Sequence, residues 1–428
     1  MTTTINNEHK KLNFSSEREQ SQACLNAAEH EKNQGRKVLN VPNLRFPEFQ
    51  GEWEKCKLSE ICTFFSGGTP SSSNKDFYGG DIAFIRSGEI YADSTELFIT
   101  QAGFDNSSAK MVEIGDLLLA MYGATSGEIS ISKIEGAINQ AILCIRTKHD
   151  KKFIESVWNK HVSNILRKYL QGGQGNLSAD IVKGISFSFP TIAEQGRIAN
   201  LVSLLDERIA TQNKIIDKLQ SLIKGLNDSL YTQYGNEVLT SFANLGISYS
   251  GLSGKSAQDF GLGKPFITYL NVYSNNVVNE DDFQYVAIKD GEKQNVVEYG
   301  DVLFTLSSET PEEVGIGAVY LGKKEVYLNS FCFGIHITNT EVTFPPYLSY
   351  YVSSTPFRKF IYPYAQGSTR FNLCKVDFEK ASIKLPSLQN QKRIYSILKR
   401  IASKIEIEKN LLGLYNSQKQ YLLHQMFI

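Results

Sequence analysis

A long amphipathic pattern begins shortly after Pro190, where apolar residues alternate four and three positions apart. These positions, the first seam, are Ile198, Val202, Leu205, Ile209, Gln212, Ile216, Leu219, Ile223, Leu226 and Leu230. Every position except Gln212 is apolar, which favours a coiled-coil helix over an ordinary surface helix. A helix from Glu194 to about Tyr231 covers 38 residues, or roughly 57 Å at 1.5 Å per residue.

A second seam follows 196 residues later. It comprises Ile394, Leu398, Ile401, Ile405, Glu408 and Leu412, and continues through Tyr415, Lys419, Leu422 and Met426. Gln212 and Glu408 are the first polar positions of their seams, and each lies near the middle of its helix. A pseudo-twofold relation would pair the helices antiparallel and bring these two side chains together. The alternative is that each seam packs on its own globule.

Both helices have a marked start after a proline. Thr191 can cap the first helix, and Glu194 stands three residues later, which is the capping-box spacing. Ser387 can cap the second helix, with Asn390 at the corresponding place.

The residues before each helix also repeat in order, with an offset that rises from 182 to 196. The matched segments are FIRSGEIY (84–91) with FITYLNVY (266–273), EIGDLLLA (113–120) with EYGDVLFT (298–305), EGAINQAILCI (135–145) with EVYLNSFCFGI (325–335), and QGGQGNL (171–177) with QGSTRFNL (366–373). Common turn chemistry could produce one such match, because Gly-Asp before a strand is frequent. Colinear matches instead indicate a duplicated domain.

Each copy reads as an α+β globule followed by a long helix. Its first part alternates β-rich runs with Gly, Ser and Asn clusters, as in SGGTPSSSNKDFYGG. The later part is helical: in DKKFIESVWNKHVSNILRKYL, residues Phe153, Val157, His161 and Ile165 are four apart. PPYLSYYVSSTPFRKFIY is its counterpart in the second copy.

The composition narrows the class of protein without identifying it. The 428 residues are 41% hydrophobic, and 45 basic residues balance 45 acidic ones. Zero net charge argues weakly against a nucleic-acid binder, because a formal total hides local patches. No membrane-spanning run or signal peptide is recognisable, so a cytoplasmic location is expected. The six cysteines form no C-x-x-C pair, which disfavours a zinc site or disulfide framework.

Five stretches carry a family resemblance that covers most of the chain, residues 42–428. They are PNLRFPEFQGEWEKCKLSEI (42–61), SGGTPSSSNKDFYGGDIAFIRSGEI (66–90), GDLLLAMYGATSG (115–127), the QGGQGNL loop and the paired P-x-x-x-x-Q-x-R-I helix starts. In this order they resemble the specificity subunit of type I restriction-modification systems. The second copy departs from the pattern, with SGLSGKS in place of GGTP and SSETPEEVGIG in place of MYGATSG.

The resemblance implies an α+β fold with two pseudo-twofold-related target-recognition domains, each a twisted β-sheet with helices. Two long helices forming an antiparallel coiled coil would separate these domains. The implied divisions are a polar N-terminal tail (1–40), a first recognition domain (41–190), a first spacer helix (191–235), a second recognition domain (236–386) and a second spacer helix (387–428).

The resemblance also implies a non-catalytic role. Such a subunit binds a bipartite double-stranded DNA target and positions two adenine-N6 methyltransferase subunits over it. Nuclease-translocase (restriction) subunits join the complex where they are present. S-adenosylmethionine, and ATP with magnesium, are expected on those partners, and neither a cofactor nor a metal is expected in this chain.

The residues themselves lack the motifs of a DNA methyltransferase. The nearest approach to a D/N/S-P-P-Y/F motif is FPPY, where Phe344 cannot accept a hydrogen bond from the target amine. A phosphate-binding GKS at 254–256 would require glycine where Tyr249 stands. Three classes stay open: a DNA-specificity subunit, a coiled-coil adaptor whose globules bind protein, and a self-contained modification enzyme.

DNA-reading residues are expected on loops of the two globules, because Arg and Lys suit guanine, Asn and Gln suit adenine, and Ser and Thr suit phosphates. In the first domain the candidates are Ser71, Asn74, Lys75, Arg86, Ser87, Tyr122, Thr125, Gln174 and Asn176. In the second they are Lys255, Lys264, Tyr269, Asn271, Ser307, Thr369 and Arg370. Structural roles compete with this interpretation: Asn176 and Asn372 could close a turn, and Arg86 could be an ion-pair partner.

Overall fold

The computed structural model of the chain describes residues 39–169 and 176–428. These residues form two compact units. Unit 1 comprises the described residues up to Arg208 together with Tyr415–Ile428, and unit 2 comprises Ile209–Leu414. Within the described residues, no helix is both long and apolar enough to cross a bilayer. Gln174 and almost all of the predicted N-terminal tail lie outside the described residues.

Unit 1 is built on a four-stranded antiparallel sheet of Cys62–Ser66 (β2), Ile142–Thr147 (β9), Leu117–Ala120 (β6) and Ile129–Ile131 (β7), in this spatial order. Its strands are β1 (Glu54–Lys57), β2 (Cys62–Ser66), β3 (Tyr78–Ile85), β4 (Phe98–Ile99), β5 (Lys110–Val112), β6 (Leu117–Ala120), β7 (Ile129–Ile131), β8 (Gly136–Ile138), β9 (Ile142–Thr147) and β10 (Ser186–Phe189). Its short and medium helices are α1 (Leu58–Ile61), α2 (Gln101–Asp105), α3 (Lys151–Tyr169) and α4 (Ala179–Gly184). A second group of strands has order β4-β3-β8-β5, with β3 and β8 parallel.

Unit 2 repeats this plan, after the first long helix, α5 (Ile192–Tyr234). Its strands are β11 (Val238–Thr240), β12 (Gly246–Ser250), β13 (Phe260–Ile267), β14 (Gln284–Val286), β15 (Val302–Thr305), β16 (Ser307–Ser308), β17 (Gly317–Val319), β18 (Tyr327–Leu328), β19 (Cys332–Ile337), β20 (Ala365–Gln366), β21 (Phe371–Leu373) and β22 (Ile383–Leu385). Its helices are α6 (Phe242–Leu245), α7 (Tyr269–Ser274), α8 (Pro345–Tyr351), α9 (Thr355–Ile361), α10 (Lys375–Lys380) and the second long helix, α11 (Leu388–Met426). The order β12-β19-β15-β17 matches that of the central sheet of unit 1, and β13 pairs parallel with β18 as β3 does with β8.

The central strand of each unit is buried on both faces, which explains its uninterrupted apolar sequence. Along β6, Leu117 and Leu119 face the core that contains α3, whereas Leu118 and Ala120 face a second cluster. Side chains alternate between the two faces because a strand has a period of two. The equivalent strand β15 divides its residues between two clusters in the same way.

The second copy does not reproduce the long helix α3 as one element. PPYLSYYVSSTPFRKFIY forms the two short helices α8 and α9. Ser354 caps α9 by accepting a hydrogen bond from the Phe357 N–H at 3.3 Å. Pro356, which cannot donate a backbone hydrogen bond, stands in the first turn of α9 and is tolerated only there.

One glutamine in each unit fixes the start of a long helix. Gln195 Nε2 donates to the Pro190 carbonyl and Gln391 Nε2 donates to the Pro386 carbonyl, both at 2.8 Å. The Oε1 atom of each glutamine accepts the backbone N–H just before α3 or just before α8. The P-x-x-x-x-Q motif therefore ties each long helix to its globule.

The capping boxes expected from the sequence form only in part. Thr191 accepts the Glu194 N–H at 3.4 Å, but the Glu194 carboxylate pairs with Arg45 and does not return to the cap. At α11 the carboxylate comes from elsewhere, because Glu237 accepts the Ser387 N–H at 2.6 Å. In both cases a partner distant in sequence replaces the local contact.

In unit 1 the long helices pair antiparallel. Lys419 Nζ lies 2.6 Å from the Asp206 carboxylate, which also binds Lys152. Arg208 Nε donates to the Tyr415 hydroxyl at 3.0 Å. The contact positions advance along α5 while they recede along α11, which is the antiparallel sense. Lys419, a polar seam position, is thus accommodated by an ion pair.

In unit 2 the same sense holds, and the two central polar positions meet. Gln212 Nε2 donates to the Glu408 carbonyl at 3.2 Å and to its carboxylate, which Lys404 also contacts. Further along, Leu230 packs against the cluster that contains Ile394. All twenty positions of the two seams are buried or half-buried.

Candidate functional site

Three chain segments of unit 2 surround an open cleft of about 770 Å³. They are α7, the β16 strand with the turn that follows it, and the tip of the β20–β21 hairpin. The lining residues are Tyr269, Leu270, Tyr273, Ser307, Ser308, Glu309, Glu313, Thr369 and Arg370.

Four residues predicted from the sequence converge in this cleft. Tyr269 donates its hydroxyl to the Ser307 carbonyl at 2.8 Å, which fastens α7 to β16. The Ser307 side chain is buried, whereas Thr369 and Arg370 are exposed at the hairpin tip. The Arg370 guanidinium carbon lies 6.0 Å from the centre of the Phe331 ring.

A tyrosine and a carboxylate that the sequence did not single out shape one wall. Tyr273 stacks on Tyr269 with ring centres 5.9 Å apart, and its hydroxyl donates to Glu313 at 2.8 Å. Ser308 donates to the same carboxylate at 3.0 Å. These two hydrogen bonds lower the pKa of Glu313, and the bond to Glu313 raises the pKa of Tyr273. At neutral pH this wall therefore holds the ionised Glu313 carboxylate, hydrogen-bonded to Tyr273 and Ser308, beside protonated tyrosine hydroxyls.

Two residues of unit 2 that the sequence predicted to contact DNA instead bind other parts of the protein. Asn271 is only 3% exposed, and its amide binds the backbone of Asn279 as donor and acceptor. Lys255 is likewise committed, because its ammonium donates to the Ala287 carbonyl and pairs with Glu292. Burial and saturated partners leave neither side chain free to contact a ligand.

Lys264 lies outside the cleft lining but is exposed. Its ammonium is 3.6 Å from the Glu325 carboxylate, and the side chains of both residues in this ion pair are more than half exposed. An exposed pair of this kind is weak and can exchange partners.

The corresponding loops of unit 1 are fastened in the same way. The Leu177 N–H donates to the Met121 carbonyl at 3.0 Å, and in unit 2 the Leu373 N–H donates to the Leu306 carbonyl at 2.8 Å. The two units therefore present equivalent loop clusters at the end of the central strand. Tyr122 and Thr125, half-buried, lie directly after this contact in unit 1.

Other residues of unit 1 that the sequence predicted to contact DNA differ in how free their side chains are. Arg86, whose side chain is about half exposed, forms two hydrogen bonds to Glu89. This contact holds the 3-10 turn in which Ser87 lies, so the ion pair that the sequence offered as an alternative role for Arg86 is present. Asn176 is exposed at the edge of the described residues.

The loop before β3 in unit 1 is held by its own polar side chains. Asn74 caps a 3-10 turn by accepting the Asp76 N–H at 3.1 Å, and the hydroxyls of Ser71 and Ser73 are 2.7 Å apart. Lys75 in the same turn is exposed, and the described residues give it no ion-pair partner.

A second surface runs along the long helices within unit 2. Ile215 and Leu222 on α5, and Ile407 and Leu414 on α11, are exposed and separated by seven residues on each helix. The two residues on each helix are one heptad apart and so lie on the same face of that helix. We call these four residues the apolar stripe. Within the described chain, no cluster of histidine, cysteine and carboxylate side chains suitable for a metal ion is present.

The sequence matches a family model described as the type I restriction modification DNA specificity domain, over residues 50–221 and 254–413. The type I restriction enzyme EcoR124I/EcoR124II specificity subunit of Escherichia coli is 29% identical over 211 residues. This match covers 46% of the chain and 50% of that protein, so the chain spans about half the length of this relative.

Two solved structures share the fold. The S subunit of a type I restriction-modification system from M. genitalium aligns with a TM-score of 0.55 and 14% identity, covering 91% of this chain and 99% of that one. A chain from a study of complex assembly and conformational transition in the type I R-M system aligns with a TM-score of 0.58 and 16% identity, covering 88% and 97%.

Proposed function

The chain belongs to the type I restriction-modification DNA specificity family, and we propose that it recognises a two-part DNA target, with one half-site read by each unit. The family role is DNA recognition without catalysis. The observation that carries the two-part target is the repeated loop cluster, fastened by the Leu177 and Leu373 hydrogen bonds at equivalent positions. Two clusters of different sequence would read two different half-sites.

We further propose that two adenine-N6 methyltransferase subunits bind this chain, with nuclease-translocase subunits where the cell supplies them. S-adenosylmethionine, and ATP with magnesium, would be bound by those partners. The apolar stripe supports a docking role, because Leu222 and Leu414 are exposed large apolar side chains on the two long helices, and exposed apolar patches mark protein–protein interaction sites. We also propose that this complex acts in the cytoplasm, in keeping with a DNA-recognition role.

The target is tested by expressing the chain with its methyltransferase subunit and sequencing host DNA for N6-methyladenine. We expect a split motif with a fixed gap, present only when both proteins are expressed. The absence of any motif would contradict the proposal. Methylation by the purified chain alone would favour a self-contained enzyme, and a complex without salt-dependent DNA affinity would favour a protein-binding adaptor.

The docking role is tested separately with Leu414→Glu, which places a charge in the apolar stripe. We expect this variant to lose co-purification with the methyltransferase subunit, because burying an unpaired carboxylate opposes association. Gln220→Glu, exposed on the polar side of α5, is the matched control and should retain the partner. Equal retention by both variants would exclude the stripe as the docking surface.

A further inference from the structure

Two residues of opposite charge line the cleft at the same end of the β16–β21 pair. In the β16–β21 pair, Ser307 is opposite Asn372 and Ser308 is opposite Phe371. Glu309 directly follows and Arg370 directly precedes the last of these pairs, and both side chains line the cleft.

These two charges are nevertheless free. Among the described residues, neither Glu309 nor Arg370 forms an ion pair or a side-chain hydrogen bond, and both are exposed. The other carboxylate of the cleft, Glu313, is saturated by Tyr273 and Ser308. The cleft therefore presents one available guanidinium and one available carboxylate.

This arrangement matches one base pair. In the major groove, guanine offers two adjacent acceptors, O6 and N7, which suit a bidentate guanidinium, and its partner cytosine offers the N4 amino donor, which suits a carboxylate. An adenine–thymine pair lacks the two adjacent acceptors on one base. A phosphate is a poorer ligand here, because the Glu309 carboxylate in the same cleft would repel it.

Building on the two-part target proposed above, we propose that Arg370 and Glu309 read one G·C base pair of the half-site bound by unit 2. Arg370 donates to guanine O6 and N7, and Glu309 accepts from cytosine N4. The stacked rings of Tyr269 and Tyr273 form the adjacent wall, and their hydroxyls are already used within the protein.

The test uses the full chain in complex with its methyltransferase subunit and a randomised pool of double-stranded DNA. Binding selection defines the wild-type motif, and affinities are then measured on the selected site and on single-position variants of it. Arg370→Ala, Arg370→Lys and Glu309→Gln are compared with Lys380→Ala, an exposed cation in the same unit outside the cleft.

We expect Arg370→Ala to lose discrimination at one G·C position of one half-site by roughly 5- to 150-fold, with all other positions unchanged. Arg370→Lys should lose it as well, because lysine cannot make the bidentate contact. Glu309→Gln should relax the same position, and Lys380→Ala should leave the motif intact. Thermal unfolding should be unchanged in all four, since the substituted side chains are exposed.

Several results would overturn the assignment. Uniform weakening that lysine restores would make Arg370 a phosphate contact. Relaxation of an A·T position, relaxation of different positions by the two residues, or an unchanged motif would each exclude a shared G·C pair. A wild-type complex that selects no sequence would refute the two-part target as well, whereas a clear wild-type motif with unaltered variants would refute this assignment alone.

Discussion

Gln391 is the residue whose replacement tests most directly how a long helix is anchored to its globule. Its side chain is fully buried and makes four hydrogen bonds. Nε2 donates to the carbonyls of Pro386 at 2.8 Å and Val342 at 3.0 Å. Oε1 accepts from the Thr343 hydroxyl at 3.2 Å and the Phe344 N–H at 2.8 Å.

Gln391→Leu keeps the helical propensity and approximate volume but removes every one of these bonds. Each buried polar group left without a partner costs about 1–3 kcal/mol. Four such groups, partly relieved by entering water, give an expected loss of about 3–6 kcal/mol in the free energy of unfolding. The loss should be concentrated in unit 2, where all the partners lie.

The assay is chemical denaturation combined with hydrogen exchange read by mass spectrometry. We expect faster exchange at the start of α8 and the first turn of α11, with unit 1 protected as before. Gln389→Leu, an exposed glutamine two residues earlier, is the control and should change stability by less than about 0.5 kcal/mol. If Gln391→Leu were as mild as this control, the anchoring role of the motif would be wrong.

Two further predictions concern unit 1. Burial raises the pKa of Asp116, but hydrogen bonds from Arg146 and a backbone N–H outweigh it, so the folded-state pKa is lowered. The stability that results is present above the unfolded pKa of about 3.9, and it is lost as the pH falls through the folded-state pKa. Thermal unfolding from pH 2.5 to 7 should show this acid loss in the wild type and a smaller one in Arg146→Ala, and identical profiles would refute the assignment. Gly67→Ala should destabilise the chain by at least the roughly 1–3 kcal/mol typical of overpacking, because the added Cβ would lie 1.7 Å from the Ile138 carbonyl oxygen. Gly88→Ala is the control in the same denaturation measurement, because a Cβ there meets no atom within 4 Å. Equal stabilities of the two variants would contradict the clash.

The equivalent Gly-Asp turns show how tertiary neighbours alter a repeated sequence. Asp116 of unit 1 is held by Arg146, whereas Asp301 of unit 2 accepts from Tyr249 and His336. Burial is the largest influence on Asp301 and raises its pKa, opposite to the net shift at Asp116. One turn motif therefore gives opposite pH dependence in the two units.

The sequence by itself determined the periodic features of this protein. The four-and-three spacing predicted both long helices and their buried sides, and the shared polar interruption predicted the contact between Gln212 and Glu408. The ordered repeats predicted two similar α+β units. These features follow from local rules, since burial along a helix or strand repeats with its own period.

Only the tertiary structure decided which polar side chains are free. Asn271 has the residue type expected of a base-reading side chain, yet it is buried against Asn279. The sequence did not single out Glu309, because the pairing of β16 with β21 brings the two segments that carry Glu309 and Arg370 to one cleft. Such pairings join residues tens of positions apart, and no local period records them, so the availability of a side chain follows from packing and register.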